Sequence, residues 1–145
     1  MSSRRAFVRG CCLTAAGLLL SRPGSAMVPV PRGGLGAAGP GPHPTPRPGI
    51  TGAKVLTAAQ LEGTPHLIPL FDGIRERPEI ADGIRCNCGC AGMPGYYSLL
   101  SCYEGDAMAR QCPICQGQGR LATRLHKAGK SLAEIRVAID AQFDG

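Results

Sequence analysis

Six cysteines fall between residues 86 and 115 of this 145-residue chain, and three of them, Cys86, Cys88 and Cys90, alternate within "RCNCGCAG". Cysteines two apart make strained disulfides, because the bond needs Cα atoms about 4.4–6.8 Å apart with specific torsions. Three thiols at this spacing serve more naturally as ligands. In an extended strand alternate side chains share one face, and in a turn Gly89 lets the chain fold so that the sulfurs converge. Cys112 and Cys115 form a Cys-x-x-Cys, with Pro113 suited to a first helical position and Cys112 to the cap before it. That pair suits two tasks, half of a tetrahedral metal site or a redox dithiol, and helix-end amides lower a thiol pKa.

Two cysteines of the 86–90 run with Cys112 and Cys115 would complete a four-thiolate zinc site. Six thiols, Cys102 included, exceed one tetrahedral ion. Either Cys102 and one member of the run form a disulfide, or sulfurs bridge several ions, as thiolate-seeking copper(I) favours. All six are candidate ligands, for zinc or copper(I). Met93 and Met108 are soft donors nearby, although methionine in a small domain is more often packing.

The amino terminus gives these thiols a destination. Arg4, Arg5 and Arg9 precede the mostly apolar run Cys11–Leu20, and Gly24-Ser25-Ala26 offers small residues for cleavage. This is the layout of a signal peptide, and "SRRAF" resembles the twin-arginine signal. A membrane span needs about 20 apolar residues, so this run is too short to remain in a bilayer. Cys11 and Cys12 precede the apolar run and read as signal core rather than as a lipid anchor. The expectation is an exported protein, outside the cytoplasm of a bacterium. Twin-arginine export normally carries folded proteins, which is compatible with metal loading before export.

Charge narrows the partners. The chain carries +6, but residues 1–26 hold four arginines and no acid, and residues 53–145 hold ten basic and ten acidic side chains. A nucleic-acid binder needs a basic stripe to displace counterions, and this domain offers none. The expected partners are a metal ion and an extracytoplasmic redox or copper protein.

Residues 27–52 contain seven prolines and seven glycines and no acid. Such a stretch buries too little apolar area to offset the entropy of ordering it. It reads as a disordered tether in which His43 has no ligand partner at useful spacing. The remaining 93 residues, 53–145, lack tryptophan, and thin cores in exported domains are often compensated by disulfides or metal.

Periodicity predicts a mainly α domain around a cysteine-rich loop cluster, preceded by the signal and the linker. Leu67, Leu70, Phe71 and Ile74 share a helical face that begins near Pro69, and Pro78 breaks that run before a short turn. A short helix is expected near Tyr97–Tyr103. Ile114, Leu121, Leu125 and Ala128 are expected to form the next buried stripe, stopped by Gly129. Ser131 and Glu134 predict a capping box, followed by a stripe of Leu132, Ile135, Ile139 and Phe143. Gly117 and Gly119 each cost a helix interior about 1 kcal/mol against alanine. No segment alternates with period two, so little or no sheet is expected. His66 and His126 read as surface or partly packed residues.

The run "IRCNCGCAGMPGYYSLLSCYEGDAMARQCPICQGQG" followed by "AGKSLAEIRVAID" resembles the PCYCGC-motif proteins, exported bacterial proteins that are frequently lipoproteins. The likeness runs from about Leu70 to the C-terminus and implies a metal-associated module. Arg85 and Asn87 depart from the motif's proline and tyrosine, and Tyr96 and Tyr97 stand where relatives often carry a histidine. "CPICQGQG" with the later Gly-Lys-Ser also resembles the membrane-tethered thiol-disulfide proteins of cytochrome c maturation. That likeness accounts for Cys112, Cys115 and Gln116 and leaves the 86–90 run unexplained. A single Cys-x-x-Cys-x-Gly-x-Gly resembles one unit of DnaJ-type co-chaperones, which pair four units around two zinc ions.

Three functions follow. The first is a thiolate metal-binding module, structural or metal-handling, with no reaction of its own. The second is a thiol-disulfide oxidoreductase using Cys112 and Cys115. The third is a disulfide-stapled binding domain, for which six cysteines allow 15 connectivities. No catalytic triad, paired carboxylates or phosphate loop stands at usable spacing. "GLGAAG" at 34–39 lacks the flanking strand and helix of a nucleotide fingerprint.

Overall fold

The computed structural model describes residues 41–144. The expected signal segment, 1–26, and the expected linker up to residue 40 lie outside the described residues. Four α-helices carry the fold: α1 (Ile68–Glu76), α2 (Pro78–Asp82), α3 (Pro113–Lys127) and α4 (Leu132–Phe143). Short 3-10 turns fill the connections, notably Cys90–Gly92, Leu99–Tyr103 and Met108–Arg110. Among the described residues the only β pairing is an isolated antiparallel bridge between Val55 and Glu104. No helix described is long and apolar enough to cross a membrane.

Helix boundaries follow local chemistry. Proline occupies the first turn of α1, α2 and α3, where a missing N–H costs no helical bond. Ser131 accepts from the Glu134 amide while the Glu134 carboxylate accepts from the Ser131 amide, so the expected capping box starts α4. Gly129, at φ 79°, ends the preceding turn in a conformation other residues seldom adopt.

α3 is the hub and packs against α1, α2 and α4. Leu67, Phe71, Leu99, Leu100, Tyr103, Ile135 and Ile139 are fully buried around it. Each such aliphatic or phenylalanine side chain contributes about 1.5–3 kcal/mol. Phe71 meets Tyr103 edge to face with ring centroids 4.9 Å apart. Tyr103 then donates from its hydroxyl to the Cys115 carbonyl at 2.7 Å, tying the loop segment to α3.

Two details differ from the sequence expectation. The buried face of α3 is Cys115, Gln118, Gly119, Leu121 and Ala122, with Ile114 and Ala128 exposed. Small residues let Tyr103 and α1 approach the helix, and an apolar stripe cannot announce a face built that way. The second difference is the linker. Its last twelve residues, 41–52, lie along the helical domain as a strap. The Arg47 guanidinium and backbone amide both donate to the fully buried Asp82 carboxylate, at 2.6 and 2.7 Å. Asp82 also accepts from Ser98 at 2.8 Å. Arg136 donates to the Pro44 carbonyl at 2.7 Å, and Tyr97 donates to the Thr45 carbonyl at 2.6 Å. Prolines restrict φ along the strap, so fewer conformations are lost on docking. Polar anchors do the work that apolar burial could not.

Candidate metal centre

The cysteines reach one place from three directions. Cys86, Cys88 and Cys90 occupy the loop after α2, where Gly89 at φ 90° turns the chain between the second and third sulfurs. Cys102 comes from the Leu99–Tyr103 turn. Cys112 is the N-cap of α3 and Cys115 lies in its first turn.

The sulfurs meet closely. Cys86 Sγ is 3.3 Å from Cys88 Sγ and 3.5 Å from Cys115 Sγ, and Cys115 Sγ is 3.6 Å from Cys88 Sγ. Cys90 and Cys102 are 3.4 Å apart. Three triads each have all their sulfurs within 4.8 Å of one another: Cys86/Cys88/Cys90, Cys86/Cys102/Cys115 and Cys88/Cys112/Cys115. All six cysteines are free thiols, and the separations exceed the about 2.05 Å of a disulfide. Cys86, Cys90, Cys102 and Cys115 are buried, while Cys88 and Cys112 are half-buried.

Met108 adds a seventh sulfur, its Sδ lying 3.9 Å from Cys88 Sγ. Met93 is about half exposed. Beside Met108 and Cys112 lies a cavity of about 540 Å³ that also borders Tyr96, Asp106, Ala107 and Arg110. The half-buried edge of the cluster therefore opens to solvent here. Ala107 forms part of this rim with φ 44°, the one non-glycine residue described in the left-handed region.

Crowding splits the thiols electrostatically. Hydrogen bonds from Cys102 and Cys115 hold the Cys86 thiol well below the ordinary thiol range. Its neighbours move the other way. Cys115 is raised by its hydrogen bonds to Cys102 and Cys86, and burial raises Cys90 and Cys88. At Cys102 the contact with Cys115 favours the thiolate, but donation to Cys86 and burial outweigh it. The crowding thus favours charge on Cys86 and disfavours it on the neighbouring thiols.

The surrounding side chains orient the cysteine loop. Gln118, fully buried on α3, accepts from the Asn87 amide at 3.1 Å and donates to the Arg85 carbonyl at 3.2 Å and to Asn87 Oδ1 at 2.7 Å. It clasps the loop on both sides of Cys86. A lone glutamine in a helix carries no sequence signal of such burial. Arg85 turns its guanidinium to Asp140 at 3.0 Å and Asp144 at 2.8 Å, and also donates to the Gly41 carbonyl. Its charge is spent on carboxylates, so it does not serve as the counter-ion of the sulfurs. His43 accepts from the Arg85 amide at Nδ1 and meets Asp140 at Nε2, both at 3.0 Å. It is a structural anchor of the strap that composition alone concealed. Gln116, singled out beside the Cys-x-x-Cys, donates to the Ala109 carbonyl at 2.9 Å and holds the preceding turn against α3.

Chemically, this arrangement can hold a thiolate-seeking cation. Sulfurs around one tetrahedral zinc stand about 3.8 Å apart, given a Zn–S distance of about 2.3 Å, close to the separations of the Cys86/Cys88/Cys115 triangle. No family model, curated protein or solved structure matches the chain.

Proposed function

We propose that this chain is an exported thiolate metal-binding module that holds zinc or copper(I) at the cluster Cys86, Cys88, Cys90, Cys102, Cys112 and Cys115. One observation carries the reading: six free thiols from separate segments converge within a largely buried site. Desolvation opposes leaving several thiolates together without a cation. Thiolate sites of this kind bind soft or borderline metals and release protons on doing so. The signal-like residues 1–26 would direct the module across the cytoplasmic membrane, and a twin-arginine route would let it fold around its metal first. Its physiological partner would be a metal source or acceptor outside the cytoplasm.

Anaerobic purification of the full chain, elemental analysis and a free-thiol count before and after chelation test the reading. Bound zinc or copper, with thiols unmasked by chelation, is the expected result. Six cysteines paired in disulfides with no metal would overturn it. A metal-free Cys112/Cys115 dithiol that cycles at a measurable potential would point to the oxidoreductase instead.

A further inference from the structure

The three triads are joined at their corners. Cys86, Cys88 and Cys115 each belong to two triads, while Cys90, Cys102 and Cys112 each belong to one. The three shared sulfurs also lie 3.3, 3.5 and 3.6 Å from one another. A single tetrahedral ion on Cys86, Cys88, Cys112 and Cys115 would leave the free thiols of Cys90 and Cys102 without a metal. A corner-joined set gives every thiol one.

We propose that the site takes a polynuclear copper(I) cluster, with one three-coordinate ion on each triad and Cys86, Cys88 and Cys115 as bridging thiolates. The proposal rests on the metal-binding reading and fixes the metal and its number. Donor counting selects the metal. Three bridging and three terminal sulfurs supply nine metal–sulfur bonds, three for each of three ions. That satisfies copper(I), which accepts trigonal thiolate coordination. Zinc in structural sites wants four ligands, and three zinc ions here would each lack one. Water could not readily supply it at the Cys86/Cys102/Cys115 triad, because all three residues are buried. The Met108 thioether near Cys88 is a further soft donor, suited to copper(I).

The balance is explicit. Six thiolates and three copper(I) ions leave the cluster with three negative charges, and each thiol proton still held goes to solvent as copper binds. The N-terminal turn of α3, which carries Cys115, presents the positive end of a 15-residue helix to that charge.

The test uses the full chain carrying Cys11→Ser and Cys12→Ser, so that only the six domain thiols count. Copper(I) is delivered anaerobically from a bicinchoninate complex, and bound ions are counted by native mass spectrometry. X-ray absorption then reads coordination. Three ions per chain, trigonal sulfur ligation and a copper–copper scattering path are expected. Adding Cys112→Ser, at a half-buried position, should lower capacity to two ions, since the Cys86/Cys88/Cys90 and Cys86/Cys102/Cys115 triads do not use it. Uptake that stops at one or two ions in the parent, absence of a copper–copper path, or unchanged capacity in the Cys112→Ser variant would overturn the cluster while leaving a metal-thiolate site standing. Failure to bind either copper(I) or zinc would remove the metal-binding reading itself.

Discussion

Gly119→Ala puts the packing of α3 on trial. A Cβ at this position would lie 2.0 Å from Tyr103 Oη, 2.9 Å from Tyr103 Cζ and 3.2 Å from Leu70 Cδ1. Helix propensity alone favours the change by about 1 kcal/mol. Tyr103 cannot step aside cheaply, because it is fully buried, meets Phe71 at its ring edge and donates to the Cys115 carbonyl. Overpacking costs about 1–3 kcal/mol, and a broken buried hydrogen bond costs about another 1–3 kcal/mol. The net expectation is a loss of about 3 kcal/mol, a large share of the 5–15 kcal/mol typical of a domain. Urea denaturation followed by far-UV circular dichroism measures it. Gly117→Ala is the control. Its Cβ would come within 3.0 Å of the half-buried Phe143 ring near the end of α4, which has room to give, so the change should fall within about 1 kcal/mol of the parent. Equal or greater stability for Gly119→Ala would refute the placement of Tyr103 over α3. Tyr103→Phe combined with Gly119→Ala should recover part of the loss, since it removes the atom in closest conflict.

Asp82→Ala should cost about 1–3 kcal/mol in denaturant midpoint experiments and increase protease cleavage within residues 41–52, because Arg47 and Ser98 both lose their acceptor. Burial raises the Asp82 carboxyl, but hydrogen bonds from Arg47 and Ser98 outweigh it and hold the group below its ordinary value. A carboxyl depressed in the folded state contributes stability above its unfolded pKa of about 3.9, and that stability is lost as pH falls through the lower folded value. Strap cleavage should therefore rise below about pH 4 in the parent and show a weaker acid dependence in Asp82→Ala. Ser131→Ala, which removes the N-cap acceptor of α4, should lower stability by about 1 kcal/mol in the same denaturation assay. Chelation should lower the melting temperature of the metal-loaded chain, because an ion at a hundredfold excess over its dissociation constant stabilises the fold by about 2.7 kcal/mol. Calorimetry with and without chelator reads it.

Most helices were legible because their signals are local. Prolines at helix starts, the Ser131/Glu134 box and the Leu67–Ile74 stripe each act within a few residues. The crowding of cysteines was legible for the same reason. Which sulfurs pair was not, since the Cys90–Cys102 proximity depends on how the Leu99–Tyr103 turn sits against α3. On α3 the stripe held at Leu121 and Leu125 but not at Ile114 and Ala128, because Gln118, Gly119 and Ala122 complete the buried face, residues suited to close approach rather than apolar area. The strap misled for a related reason. Proline and glycine content measures what a segment can bury, whereas Arg47, His43 and Tyr97 hold residues 41–52 by directed polar bonds whose partners are distant in sequence.

The position of the sulfurs would tie the stability of the proposed module to its metal content. Cys86, Cys90, Cys102 and Cys115 belong to the same buried cluster as Leu99, Leu100, Tyr103 and Ile139, so the proposed ligands are also core residues. A thin core leaves little margin for leaving thiolates there unpaired. Arg85, the basic residue next in sequence to the cluster, is committed to Asp140 and Asp144. Protonated neighbours can steady the single charge on Cys86, but they become acceptors themselves once they ionise. In the proposed module, bound cations would balance the charge on the remaining sulfurs. It follows that metal would enter with the loss of protons and leave with their return, and that each exchange would be felt throughout the helical core rather than at a surface loop.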